Sequence, residues 1–357
     1  MPGPLNGLVR MARCRKQTRS RHSKMSAVRP GNSTLTRRRT PIMTASTTRR
    51  KTAAKSRTAA VCAIAVAGAM LLTACGDQTD NGASESETKG TASAAPLADK
   101  LPKEIRDKGV IKVGSDIAYA PMEFMDEGNK PAGVDIDIAK ALGKVLGVEF
   151  QFENSTFDQL VLGMNNGRTD IVMSSMTDTK ERQQGATEDA KGGADFVNYF
   201  KAGSAILVQK GNPKQVTTLD DLCGLTVAAQ RGTANEALLK ETQKKCGSDK
   251  IKEFISDQDT DSITQLQTKR ADAVITDFPV ALYNELNAGG GKLFEVVGEQ
   301  IDAAPYGIAV SKKNTQLRDA LQAAVQKIID DGSYGEVLKE WKAESGAIEK
   351  ATINAGK

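Results

Sequence analysis

Arg182, Thr177, the run Arg231-Gly232-Thr233-Ala234 and Asp277 are the residues of this chain best suited to chemistry. The planar guanidinium of Arg182 can grip a carboxylate through two parallel hydrogen bonds. Thr177 supplies a hydroxyl. Gly232 sits at a predicted strand-to-helix turn, and the main-chain N–H groups of Thr233 and Ala234, opening the helix, can share the same carboxylate. Asp277, at the end of a predicted strand, can accept an ammonium. Such a set suits a small zwitterion, because a dry site must pair both charges. Taken singly, each residue is commonplace. An isolated Arg182 is usually a solvated surface charge, Asp277 before Phe278-Pro279 is usually a helix N-cap, and Gly232-Thr233 alone is only a helix start.

The elements that must position these residues are legible from Leu101 onward. Val110 to Gly114 is a β-rich run. Val134 to Leu146 carries Ile138, Leu142, Val145 and Leu146 at helical spacing. Val148 to Phe152 alternates as a strand, Phe157 to Met164 reads as helix, and Asp170 to Ser174 as a strand. Further strands are predicted at Thr226–Ala229, Ile251–Ile255 and Ala273–Thr276, separated by helices at Asn235–Lys245 and Asp259–Thr268. Gln316–Ile329 and Tyr334–Trp341 form a helical end. Strands alternating with helices predict an α/β fold of parallel sheets covered on both faces. No tandem repeat of fixed period occurs.

Ahead of this part lies a different composition. Arg49, Arg50, Lys51, Lys55 and Arg57 precede an apolar stretch from Ala59 to Leu72, which closes on Leu72-Thr73-Ala74-Cys75. These are the parts of a secretory signal peptide. The ending resembles a bacterial lipobox, which implies cleavage before Cys75 and a diacylglyceryl thioether on it. The alternative, a transmembrane helix, needs about 20 apolar residues, and this run falls well short. Residues 1–42 are Arg-, Ser- and Thr-rich without periodicity and read as a misplaced start, with Met25 or Met43 giving a more ordinary signal peptide. Gly76 to about Leu97 cannot bury a core and reads as a flexible tether.

Removal of residues 1–74 changes the charge balance. No Asp or Glu precedes Cys75, whereas 16 of the 49 Lys and Arg residues do; what remains is 33 basic against 44 acidic residues, a formal charge of −11. That disfavours a nucleic-acid partner. The only histidine, His22, is also lost, which excludes a Ser-His-Asp triad, a Cys-His pair and a His-rich zinc site. No catalytic residue, metal or cofactor is expected. Of five cysteines, Cys14 and Cys62 are removed and Cys75 is lipidated. Outside the cytoplasm the leftover Cys223 and Cys246 are most simply a disulfide; the alternative is two buried free thiols.

Four segments stand out together: Ser115-Asp116-Ile117-Ala118-Tyr119-Ala120-Pro121-Met122-Glu123-Phe124; Gly133-Val134-Asp135-Ile136-Asp137-Ile138; Ser174-Ser175-Met176-Thr177-Asp178-Thr179-Lys180-Glu181-Arg182; and Arg231-Gly232-Thr233-Ala234, followed later by Thr276-Asp277. Over about residues 100–345 they resemble the family 3 solute-binding proteins of ABC importers, the polar amino-acid-binding class. Val134 stands where that family usually has an aromatic or larger aliphatic residue, a packing change. The resemblance implies a two-lobed periplasmic-binding-protein-like fold of type II with crossovers near Lys201–Ser204 and Ala303–Tyr306. One lobe would take residues 100–202 and 303–345, the other 203–302. Residues 1–74 would be extension and signal peptide, 75–99 the tether and 346–357 a C-terminal tail.

The same resemblance distributes the site. Arg182, Thr177, Thr233 and Ala234 would take the ligand carboxylate, and Asp277 with the backbone of Ser175 its ammonium. Tyr119 and Phe157 would flank the side chain, with Asp116 and Ser174 at its far end. It implies a monomer, lipid-anchored on the extracytoplasmic face of the membrane, that closes on a free amino acid and delivers it to the transmembrane subunits of an ABC permease. Asp116 favours a polar or basic ligand, with glutamine the rival. Two other classes remain. A periplasmic dehydratase of the cyclohexadienyl or arogenate type, on the same fold, needs a positioned acid, for which Glu123 and Glu236 are the nominees. A sensor ectodomain needs a membrane span after the lobes, and none is read before Lys357.

Overall fold

The structure, a computed structural model, describes residues 95–357. The segment read as a signal peptide, Cys75 and most of the expected tether lie outside the described residues. Helix α1 (Lys103–Lys108) leads into strand β1 (Val110–Ser115), whose Ile111 and Val113 are fully buried. A small antiparallel sheet follows: β2 (Ala118–Tyr119), β3 (Glu123–Met125) and β4 (Pro131–Ala132). Strands this short leave no periodic signal, and the sequence reading has none of them.

Helix α2 (Val134–Leu146) buries Val134, Ile138, Leu142 and Leu146. Burial of each contributes roughly 1.5–3 kcal/mol. The helix begins after Gly133, whose φ is 125° and where an added Cβ would fall 2.3 Å from the Met122 carbonyl oxygen. Only glycine fits that corner. Then come β5 (Glu149–Asn154), α3 (Leu160–Asn165), β6 (Ile171–Val172) and α4 (Lys180–Gln184). The long β7 (Asp195–Gln209) leads to a second βα series: β8 (Thr226–Gln230), α5 (Ala234–Lys245), β9 (Lys252–Ser256), α6 (Asp259–Gln267), β10 (Ala273–Asp277) and α7 (Phe278–Asn287). An equally long β11 (Phe294–Val310) returns the chain to α8 (Thr315–Asp330) and α9 (Ser333–Trp341).

The main sheet has the order β5-β1-β6-β11-β7-β10-β8-β9. Its flanks are parallel, as the alternating pattern predicts. Its centre is not. β7 and β11 pair antiparallel with each other, with Phe200 opposite Tyr306, Lys201 opposite Pro305 and Ala202 opposite Ala304. The two crossovers are therefore the adjacent middles of two long strands that join both lobes. β7 is buried on both faces over most of its length, so it lacks the alternation by which a strand is recognised.

Each lobe has its own core. In one, α2 packs against α8 through Leu317, Leu321, Val325 and Ile328. In the other, Ile206, Val227, Leu239, Ile251 and Ile275 cluster together. A disulfide joins Cys223 to Cys246, closing the loop that contains β8 and α5 and contributing about 3 kcal/mol in the chain-entropy account. Residues 351–357, expected as a plain tail, instead pack back on β7, with Ile353 opposite Val197.

Candidate functional site

The strand ends and helix starts of the two lobes meet across one cleft. All ten positions singled out in the sequence (Asp116, Tyr119, Phe157, Ser174, Ser175, Thr177, Arg182, Thr233, Ala234 and Asp277) line it, joined by Glu123, Gln230 and Asn235. The cleft is nearly shut: its free interior is about 10 Å³, room for about one water.

Arg182 is only 4% exposed, so it is not a surface charge. It rides on α4, whose N-cap Thr179 accepts the Arg182 N–H at 3.3 Å. Its guanidinium lies 5.2 Å from the centre of the Phe157 ring, a cation–π distance. Nη1 donates to the Thr177 carbonyl and Nη2 to the Gly232 carbonyl, both at 2.7 Å. The fork therefore spans from one lobe to the other. Burial pushes the Arg182 pKa down, while Asp189 and Asp277 push it back up; a guanidinium stays charged regardless.

Opposite stands the start of α5. Thr233 is its N-cap, its hydroxyl accepting the Glu236 N–H at 3.1 Å and donating to the Gln230 carbonyl at 2.7 Å. Glu236 takes the Gly232 N–H at 2.7 Å and pairs with Lys240. It is a capping residue and does not line the cleft. The first N–H groups of a helix have no intrahelical acceptor, so those of Thr233 and Ala234 are available where the cleft meets them.

Asp277 holds the N-cap position of α7 but makes no side-chain cap there. Its Oδ1 accepts Asn235 Nδ2 at 2.9 Å, and its Oδ2 accepts the Tyr306 hydroxyl at 2.5 Å. Its main-chain N–H donates to the Tyr119 hydroxyl at 3.0 Å, and that hydroxyl also pairs with Thr276 Oγ1 at 3.2 Å. Burial raises the Asp277 pKa; the hydrogen bonds from Tyr306, Asn235 and Tyr119 and the charge of Arg182 oppose the rise.

At the far end Asp116 reaches the other lobe. Its Oδ2 accepts Gln230 Nε2 at 2.5 Å and its Oδ1 accepts Gln258 Nε2 at 3.5 Å. Burial pushes its pKa up to about 6 against those two hydrogen bonds. Asp259, at the start of α6, is also buried and is pushed up to about 7, by burial first and then by the charges of Asp277 and Asp116. Asp116 and Asp277 line the cleft, and Asp259, which does not, feels the charge of both.

Beneath Ser174 and Ser175 lies a second acidic group. Glu123 is 1% exposed and Asp135 fully buried. Ser174 Oγ donates to Glu123 Oε1 at 2.9 Å and Ser175 Oγ to Oε2 at 3.1 Å. Asp135 accepts the Ser175 N–H and the Tyr199 hydroxyl, each at 2.8 Å. Burial raises both pKa values, Glu123 well above the carboxylate range and Asp135 to about 6, and Asp135 also repels a charge on Glu123. The pair fixes Ser175 in the left-handed region, φ 44°, at roughly 1–2 kcal/mol of backbone strain. The sequence names Glu123 only as a possible acid, and misses Gln230 and Asn235, although these two flank the Arg231–Ala234 motif on either side.

Comparison with known proteins gives a consistent result. The pattern of the bacterial extracellular solute-binding proteins, family 3, matches residues 111–344. The arginine-binding protein ArgT of Corynebacterium glutamicum is 30% identical over 258 residues, 71% of this chain and 81% of that protein. The ABC transporter glutamine-binding protein GlnH of Bacillus subtilis is 32% identical over 289 residues, 80% of this chain and 96% of that protein. Among solved structures, an ancestral arginine-binding protein bound to arginine is 36% identical with a TM-score of 0.59, covering 65% of this chain and 98% of its own.

Proposed function

Since this chain belongs to the bacterial extracellular solute-binding proteins of family 3, we propose that it captures a free basic amino acid between its lobes, arginine foremost, and hands it to an ABC permease. The observation that carries this reading is that Arg182 and Asp277, of opposite charge, border one cleft from two lobes. We assign residues 100–202 and 303–345 to the first lobe and 203–302 to the second. Arg182, Thr177 and the N–H groups of Thr233 and Ala234 take the carboxylate. Asp277 and the Ser175 backbone take the ammonium. Tyr119 and Phe157 flank the side chain, and Asp116 and Ser174 meet its end. A ligand touching both lobes stabilises the closed form by its greater affinity for that form.

The choice of a basic ligand rests on the buried acids in and beside the cleft. Asp277 and Asp116 both make ionisation of Asp259 harder, Asp158 does the same to Asp116, and a cationic side chain relieves that repulsion. The names of ArgT and GlnH make arginine and glutamine the pair to test against each other. The molecule works as a monomer on the outer face of the membrane, held by lipid on Cys75. Among the described residues no helix is long and apolar enough to cross a membrane. Titrating the purified protein calorimetrically with each of the twenty amino acids tests the ligand: arginine should bind tightest and Arg182→Ala should abolish its heat. Undiminished binding by Arg182→Ala would remove the guanidinium from the site. For the anchor, Cys75→Ser should lose radiolabelled lipid in cells; a normal label would move the anchor elsewhere.

A further inference from the structure

Asp178 follows Thr177 and precedes α4, so it sits inside the arm that carries Arg182, yet it is not among the residues lining the cleft. It is buried. Its Oδ1 accepts Gln183 Nε2 at 2.7 Å, and its Oδ2 accepts Asn198 Nδ2 at 3.0 Å and the Gly356 N–H at 2.8 Å. Gly356 lies so close that a Cβ there would fall 1.8 Å from the Asp178 carbonyl oxygen. One residue on, the Lys357 main-chain oxygen accepts the Lys180 N–H at 3.2 Å, in the first turn of α4.

The same short segment is fastened at its other end to β7. Asn198 N–H donates to the Thr352 carbonyl and Asn354 N–H to the Phe196 carbonyl, both at 2.9 Å. The Asn354 side chain accepts the Phe196 N–H at 2.7 Å and donates to Asp195 at 3.0 Å. These bonds satisfy main-chain groups of a strand shared by both lobes. α4 has only five residues, too few to be stable alone. What holds it comes from outside it.

We propose that residues 351–357 are a positioning strap for ligand binding: by tying Asp178 and the first turn of α4 to β7, they hold Arg182 where it receives the ligand carboxylate. Asp178 and Gly356 are positioning residues that do not touch the ligand. The proposal rests on the assignment of Arg182 as the carboxylate grip.

The test uses the full-length protein, a variant stopped after Lys350, and Gly356→Val. Affinity for L-arginine and L-glutamine is measured by calorimetry, the unfolding midpoint by scanning, and amide exchange over residues 178–186 without ligand. The expected result is at least a tenfold loss of affinity in both variants, a fall of only a few degrees in midpoint, and faster exchange over 178–186 while α2 and α8 stay protected. A synthetic peptide spanning residues 350–357, added at millimolar concentration, should restore part of the affinity to the stopped variant. Wild-type affinity in Gly356→Val, with exchange over 178–186 unchanged, would overturn the strap. Loss of protection over 178–186 in a protein whose wild type binds neither amino acid would leave the strap's hold on α4 intact and overturn the reading of the cleft.

Discussion

Two of the buried acidic groups of the first lobe are satisfied in opposite ways. Glu123 and Asp135 draw Ser174, Ser175 and Tyr199, all from their own lobe or from β7. Asp116 draws its side-chain partners, Gln230 and Gln258, from across the cleft. The first group is complete whether or not the lobes meet; the second is complete only when they do. A carboxylate bonded within one lobe belongs to the scaffold, whereas one bonded across the cleft would lose those partners and gain water if the lobes parted. Burial alone does not separate the two kinds, because both are nearly fully buried. The origin of the hydrogen-bond donors does.

The largest effect that would sharpen this contrast is expected at Asp135. Asp135→Ala strands the Ser175 N–H and the Tyr199 hydroxyl in a dry interior, and each unpaired buried group costs about 1–3 kcal/mol. A loss of about 3 kcal/mol in stability is expected, equivalent to roughly 6–12 °C in midpoint for a domain of this size. Urea unfolding measures it. A loss below about 1 kcal/mol would mean that water or rearrangement satisfies these groups, and the floor would no longer count as scaffold.

Next is Asp116→Asn, which should behave in the reverse way. It keeps the shape and removes a charge that burial already disfavours, so the unfolding midpoint should hold or rise slightly. Affinity for arginine should fall by about 10- to 100-fold, the range of a lost charge-assisted bond of 1.5–3 kcal/mol, and affinity for glutamine much less. Equal losses for the two amino acids would show that Asp116 serves closure in general and not recognition of a cation.

Legibility in the sequence followed the same division. The cleft positions of Arg182, Thr233 and Asp277 are legible because each sits on a short local motif, a helix start or a strand end, whose geometry travels with the sequence. The floor is not: Glu123 and Asp135 belong to separate segments, and only the fold brings Ser174 and Ser175 over both. Gln230 and Gln258 were silent because an amide side chain declares neither burial nor partner. The central pairing of β7 with β11 was hidden by its burial on both faces, and the return of residues 351–357 to β7 by their polar, aperiodic composition. Apart from the short local strands β2 to β4, what the sequence hides is long-range.

The smallest effect expected is in pH dependence, and it sets the two properties against each other. The described residues contain no histidine, so between pH 7.5 and 5.5 the side chains that titrate are raised carboxyls: Asp116 and Asp135 near 6 and Asp259 near 7. A carboxyl whose folded pKa is raised binds its proton more tightly when folded, so its contribution to stability is most favourable at low pH and is lost as pH rises through the folded pKa. Acidification across this window should therefore raise the unfolding midpoint. Asp221, held down to about 2 by hydrogen bonds from Thr217 and Thr218, opposes this only below about pH 4. Binding a cation needs the ionised form. With a pKa of about 6, Asp116 is one-quarter ionised at pH 5.5, so arginine affinity should fall about fourfold from this group alone, and glutamine affinity should stay nearly flat. Midpoint and arginine affinity moving in opposite directions, with Asp116→Asn removing the affinity change but not the whole midpoint change, is the expected pattern. If both fell together on acidification, protonation would be loosening the lobes themselves, and the line between scaffold and cleft acids would have been drawn in the wrong place.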